Sequence, residues 1–180
     1  MYALLTQSLP LTLKESGTFA IRIFLGSLLL AIAAQISIPA WPVPMTLHVS
    51  AVLFLGFASS PSVAVGSVLL YLFEGAIGLP VFAGFSSGIA KFFGTTGGYF
   101  FGFLMAAYLV STLKSKASTF LSQYVVAVLG GASILLCGTL YLSSIVGLKT
   151  AFVTGLLPFV IKMFVEAGLT TVTARFLKKI

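Results

Sequence analysis

Charge is what this sequence has least of. Only 7% of its 180 residues are charged, 59% are hydrophobic, and mean hydropathy is +1.16. An ordinary soluble domain carries roughly 25% charged residues, so this chain cannot cover a surface that faces water on all sides. Soluble enzymes, nucleic-acid binders and disordered proteins are excluded on that ground, and an integral membrane protein is left. Acids are scarcest: Glu15, Glu74 and Glu166 are the whole set, beside one histidine, His48, and one cysteine, Cys137. A single cysteine rules out an internal disulfide, and Cys137, inside an apolar run, reads as an inert thiol. The inventory is too thin for a multi-ligand metal site or a catalytic triad. The sequence also lacks a Gly-x-x-x-x-Gly-Lys-Ser/Thr phosphate loop, so it hydrolyses no nucleotide by that route and active transport would need a partner. The expectation is a non-enzyme with no catalytic residue, no metal and no cofactor. No secretory leader is expected, because the first charge is Lys14 and no short apolar stretch ends in a small-residue cleavage site. Residues 1–17 read as a cytosolic or interfacial lead-in, and 18–180 as one membrane domain.

What is present is long apolar sequence. Crossing about 30 Å of hydrocarbon takes about 20 helical residues. From Ile23 to Phe73 there are 51 residues without Lys, Arg, Asp or Glu; Phe92–Leu113 adds 22 and Ala117–Leu148 adds 32. Thr150–Phe176 forms a last run interrupted by charge. Breakers divide the first run at Pro39, Pro42 and Pro44, at Ser59-Ser60-Pro61, and at Gly78-Leu79-Pro80. The expected fold is all-α, with six transmembrane helices near 18–38, 45–58, 62–78, 97–113, 119–145 and 151–177. Helices two and three are short. Irregular backbone at membrane depth survives only against protein or water, so the stretches Ile36–Met45 and Leu79–Gly97 point to a cavity at one end of the bundle.

Basic residues set the orientation. The net charge of +7 is the bias of membrane proteins with basic cytoplasmic loops, not a sign of nucleic acid. With both termini inside, Lys14, Lys114, Lys116, Lys178 and Lys179, with Arg22 and Arg175, face the cytoplasm, against Lys91 and Lys149 outside. Both irregular stretches then face outward, as a lid over an external-facing site.

Lys162 and Glu166 are the most informative pair, four residues apart and on one helix face within the last span. Each ionised group at the bilayer centre costs about 2.5–3.5 kcal/mol on insertion scales. They neutralise each other, meet a ligand through Lys162 with Glu166 orienting it, or dock a partner subunit. Glu74 reads as a solvated helix end; Lys91 reads as a loop charge, an anion attractor at the mouth, or a partner of Glu74. The stretch from Gly78 to Gly88 and the stretch Gly94-Thr95-Thr96-Gly97-Gly98-Tyr99 mix glycine with hydroxyls and aromatics. Glycine permits close backbone approach to a ligand or a helix, and Gly98-x-x-x-Gly102 is a helix-packing pattern more than a binding one. Ser27-x-x-x-Ala31 is a small-residue pair whose default use is internal packing. Trp41, between Pro39 and Pro42, is an interfacial anchor or part of a lid.

Ala34-Gln35-Ile36-Ser37-Ile38-Pro39 and Val43-Pro44-Met45-Thr46-Leu47 resemble the first-loop signature of the BioY family. So do Gly75-Ala76-Ile77-Gly78-Leu79-Pro80-Val81-Phe82-Ala83-Gly84 and Thr96-Gly97-Gly98-Tyr99 with Gly102-Phe103. These are the biotin-specific S-components of energy-coupling-factor (ECF) transporters. The resemblance implies six helices with a biotin pocket near the outer face, closed by the first and third loops. It also implies a plasma-membrane location and partners: a transmembrane coupling protein and two cytosolic ATPases, which alone use ATP. Ser27 and Ala31 fall where the family carries an Ala-x-x-x-Ala contact for the coupling protein.

Several positions depart from the family pattern. Thr46-Leu47-His48 stands where Thr-Leu-Gln is usual, and Gly94-Thr95-Thr96-Gly97-Gly98 where Gly-Pro-Thr-Gly-Gly is usual. In the last helix, the usual Gly-Asp-x-x-Lys after Pro-Phe is replaced by Lys162-Met163-Phe164-Val165-Glu166. One basic and one acidic group remain in reversed order. The expected ligand site combines Ser86, Ser87, Thr96 and His48 as neutral polar groups with Phe82, Tyr99 and Trp41 as apolar walls. Lys162 holds the ligand carboxylate beside Glu166, with Lys91 next in line. Two other readings stay open: an S-component for another carboxylated vitamin, and a structural membrane protein with no ligand.

Overall fold

A computed structural model describes residues 13–177, with side chains from Ser16 to Phe176. Lys178, Lys179 and the lead-in before Leu13 lie outside the described residues, as does the side chain of Lys14. The long helices are α1 (Leu13–Gln35), α2 (His48–Ala58), α3 (Pro61–Ala76), α5 (Gly97–Leu113), α6 (Phe120–Val146) and α8 (Leu157–Leu177). Among the described residues, two short α-helical segments, α4 (Ala90–Phe93) and α7 (Leu148–Thr150), lie in the connections. Three helical stretches among the described residues are long and apolar enough to cross a membrane: Ser16–Gln35, Phe120–Val146 and Leu148–Phe176. The second helix, with 11 residues, is about 16 Å long at 1.5 Å per residue.

Local chemistry sets the boundaries. Helix α1 is described from Leu13 rather than 18, since Leu13–Gly17 contains no proline to interrupt it. It ends at Gln35 rather than 38, since Ser37–Ile38 (β1) pairs antiparallel with Met45–Thr46 (β2) across the proline-rich turn. That ladder also delays α2 from 45 to His48. Pro61 occupies the first turn of α3, where its missing N–H costs nothing. Thr119 and Ser122 form a reciprocal cap on α6. Pro158, in the first turn of α8, has no N–H for the preceding turn, and the chain enters α8 through a π-helical turn at Ala151–Leu156.

Helix α5 is the centre of the bundle, packed most extensively on α6 and also on α2 and α3; α1 lies on α3, and α8 on α6 and α2. Close α5–α6 approach depends on Gly102, where a Cβ would stand 2.7 Å from the Ile134 Cα. This is the helix-packing use of Gly98-x-x-x-Gly102. The core has apolar side chains from every long helix, with Leu30, Val52, Val68, Tyr71, Val110 and Leu142 fully buried. Outward faces are apolar as well: Phe24, Leu28, Ile32, Leu69, Leu140, Ile161 and Val172 are all exposed. That is the surface of a protein solvated by lipid.

Candidate functional site

At the end of the bundle where both irregular stretches lie, a cavity of about 450 Å³ opens between α2, α5, α6, α8 and the two loops. Its walls are Pro42, Val43, Pro44, Phe82, Phe100, Phe103, Ile134, Leu135 and Phe159, with Thr46, His48, Ser86, Lys91, Thr95, Thr96, Tyr99 and Lys162 as the polar lining. Small-molecule sites are of this size and this mostly apolar character.

The lid is tied down by side chains from other elements. Gln35, at the end of α1, donates from Nε2 to the carbonyls of Val81 (3.3 Å) and Phe82 (3.1 Å), and its Oε1 accepts from the Phe85 amide (3.0 Å). Thr95 Oγ1 donates to the Pro42 carbonyl at 2.8 Å, joining the two loops. Between them Phe82 turns inward, 2% exposed, and stacks on Phe100 with ring centroids 4.9 Å apart. Only glycine fits at 75, because a Cβ there would overlap the Phe82 ring. The turn itself places Gly84 and Phe85 at positive φ (67° and 54°).

On the opposite wall, Lys162 Nζ is 2.7 Å from Glu166 Oε1 and donates to the Thr46 carbonyl at 2.7 Å. Glu166 is 4% exposed and also accepts from Ser50 Oγ at 3.0 Å, while its buried Oε2 has no partner among the described residues. His48 Nδ1 is 2.7 Å from Thr46 Oγ1 and its Nε2 2.7 Å from the Tyr71 hydroxyl. Tyr99 donates to the Gly155 carbonyl at 2.9 Å, within the π-helical turn.

Of the residues expected at the site, Lys162, His48, Ser86, Thr96, Tyr99, Phe82 and Lys91 line the cavity. Glu166 stands behind Lys162. Ser87 does not line it, and Trp41 is 78% exposed, outside the cavity wall. Ser27, read as an internal packing residue by default or else as part of a partner face of α1, lies inside the bundle. That residue is 1% exposed and donates to Glu74 Oε1 at 3.2 Å, so it is used inside the bundle; Ala31 is half-buried against the core. Glu74 is thus held by Ser27 rather than by Lys91. Sequence reasoning missed Thr46, Thr95, Phe100 and Phe103 as cavity residues. Phe100 and Phe103 were open to detection, since they share one face of α5 at helical spacing with a signature segment. No group of His, Cys, Asp or Glu able to hold a metal ion occurs among the described residues.

Comparison with known proteins agrees with this architecture. The sequence matches the BioY family model over residues 7–180. It is 37% identical to the probable biotin transporter BioY of Pyrococcus horikoshii over 165 residues, 92% of this chain and 96% of that one. It is 38% identical to the probable biotin transporter BioY of Rickettsia prowazekii, over 78% of this chain and 73% of that one. Among solved structures, the S-component for biotin from an ECF-type ABC transporter superposes with a TM-score of 0.82 at 26% identity, covering 95% of this chain and 96% of that chain. An all-helical membrane protein with this fold and this sequence belongs to the BioY family, a transport family and not a family of enzymes.

Proposed function

We propose that this chain is the membrane-embedded substrate-binding subunit for biotin uptake. It takes biotin from the outer face through six transmembrane helices with both termini cytoplasmic. A transmembrane coupling protein and two cytosolic ATPases deliver the vitamin inward at the expense of ATP. The observation that carries this reading is the lidded cavity, whose size and lining suit a small amphipathic acid. The relatives' names supply the choice of biotin.

The Lys162–Glu166 pair favours Lys91 over Lys162 as the partner of the ligand carboxylate. Lys162 is already neutralised by Glu166 at 2.7 Å. A second carboxylate there would leave the wall with net negative charge in an apolar setting, which is costly. Lys91 is exposed at the mouth, lines the cavity and makes no ion pair among the described residues. In this reading the carboxylate meets Lys91, and Lys162 turns an N–H toward the neutral ureido ring.

Calorimetric titration of the purified chain in detergent with biotin and with biotinamide tests both points. Wild type binds biotin one to one. Lys91→Ala weakens biotin by about tenfold or more, the worth of a charge-assisted hydrogen bond, and leaves biotinamide unchanged. Lys162→Ala weakens both ligands. If Lys162→Ala instead spared biotinamide alone, the carboxylate would belong on Lys162. A folded wild-type chain that takes up no biotin overturns the proposed function.

A further inference from the structure

The His48 ring is held between two hydroxyls, and the chemistry of the buried one fixes the direction of the one at the cavity. Tyr71 is 0% exposed, and among the described residues its hydroxyl has one hydrogen-bond partner, His48 Nε2 at 2.7 Å. A buried hydroxyl that leaves its proton unused loses a hydrogen bond that no water replaces, so Tyr71 donates and Nε2 accepts. The ring is itself 5% exposed with no carboxylate hydrogen-bonded to it, and is neutral. A neutral imidazole offers one donor and one acceptor. With Nε2 accepting, Nδ1 carries the hydrogen and donates to Thr46 Oγ1, 2.7 Å away.

Thr46 is then the acceptor in that bond, and among the described residues its own hydroxyl proton has no acceptor. The residue lines the cavity, and its main-chain carbonyl receives the Lys162 ammonium at 2.7 Å. We infer that Thr46 is a ligand-binding residue whose hydroxyl is committed to donate into the cavity by the Tyr71–His48 pair. Thr46 O–H and a Lys162 N–H then converge on an acceptor-rich group, of which a carbonyl or urea oxygen is the fitting class. A ligand presenting N–H at that point is rejected, because two donors would face a donor. Identifying the acceptor as the ureido oxygen rests on the biotin reading; the direction of the hydrogen bonds does not.

His48 is the only histidine in the chain, so ¹⁵N-histidine labelling reports one ring without assignment. The ligand-free wild type is expected to show a protonated Nδ1 and an unprotonated Nε2. Titration then compares biotin with 2-iminobiotin, which puts N–H where biotin puts its ureido oxygen. Thr46→Val is expected to cut biotin affinity by about tenfold and to shrink the preference over 2-iminobiotin by a similar factor, while Thr46→Ser keeps both. A structural role alone would move thermal stability and leave the preference in place. An Nε2-protonated ring, or an unchanged preference in a folded Thr46→Val chain, overturns the inference even if biotin binds. A wild type with Nδ1 protonated that binds no biotin would instead overturn the proposed function and leave the hydrogen-bond direction standing.

Discussion

Glu166 shows how much one buried oxygen can hold. Its Oε1 takes both the Lys162 ammonium at 2.7 Å and the Ser50 hydroxyl at 3.0 Å. Removing one member of a buried pair strands the other charge, which costs about 3–5 kcal/mol in full burial. Lys162 retains 23% exposure onto the cavity, so the cost here falls at or below the lower end of that range. Glu166→Gln is therefore expected to lower the unfolding temperature in detergent by several degrees and to weaken biotin binding. The double variant Lys162→Met with Glu166→Met recovers the stability, because two matched apolar side chains replace two charges, but not the binding. Thermal unfolding followed by titration of both variants checks this. A double variant no more stable than Glu166→Gln would show that desolvation of the pair is not what the fold resists.

At the scale of elements, the loops are held by side chains from helices distant in sequence. Gln35 makes all of its lid contacts with residues 81, 82 and 85, and Thr95 reaches Pro42. Gln35→Ala removes three hydrogen bonds to one loop while leaving every cavity wall intact. It is expected to raise the biotin dissociation rate by about fivefold or more and to change the association rate less. Stopped-flow exchange against labelled biotin reads both rates, and a slower association with unchanged release would refute a closing role for Gln35.

These same contacts mark the limit of what was legible in the sequence. Helix α5 was readable to the residue, Gly97–Leu113, because glycines precede it and Lys114 follows it. The basic–acidic pair at 162 and 166 was readable from its spacing alone. Gln35 and Thr46 stood inside recognised segments, but their roles depend on partners tens of residues away. Ser27 pointed inward for the same reason, its acceptor Glu74 lying on another helix. The π-helical turn at Ala151–Leu156 had Pro158 as its only local sign, and a proline alone does not say how a helix accommodates it.

For the whole molecule, the distribution of cations joins the cavity to the membrane. Lys91 and Lys149 stand at the cavity end, on α4 and α7, whereas Lys114 and Lys116 follow α5 at the opposite end. Lys114 is tied there, donating to the Phe57 carbonyl at 3.0 Å and to the Ser59 carbonyl at the end of α2. On the proposed orientation, with the more basic end retained in the cytoplasm, the cavity would face outward. Single cysteines test this in a Cys137→Ala background, since Cys137 is the only native thiol. Leu148 is 73% exposed beside Lys149, and Ser115 is exposed between the two opposite lysines. In intact cells a membrane-impermeant maleimide is expected to label Leu148→Cys, and to label Ser115→Cys only after the membrane is broken. The reverse pattern would open the cavity to the cytoplasm. Uptake from outside through this site would then be untenable, whatever the affinity for biotin, because the lidded cavity would meet its ligand on the wrong side of the bilayer.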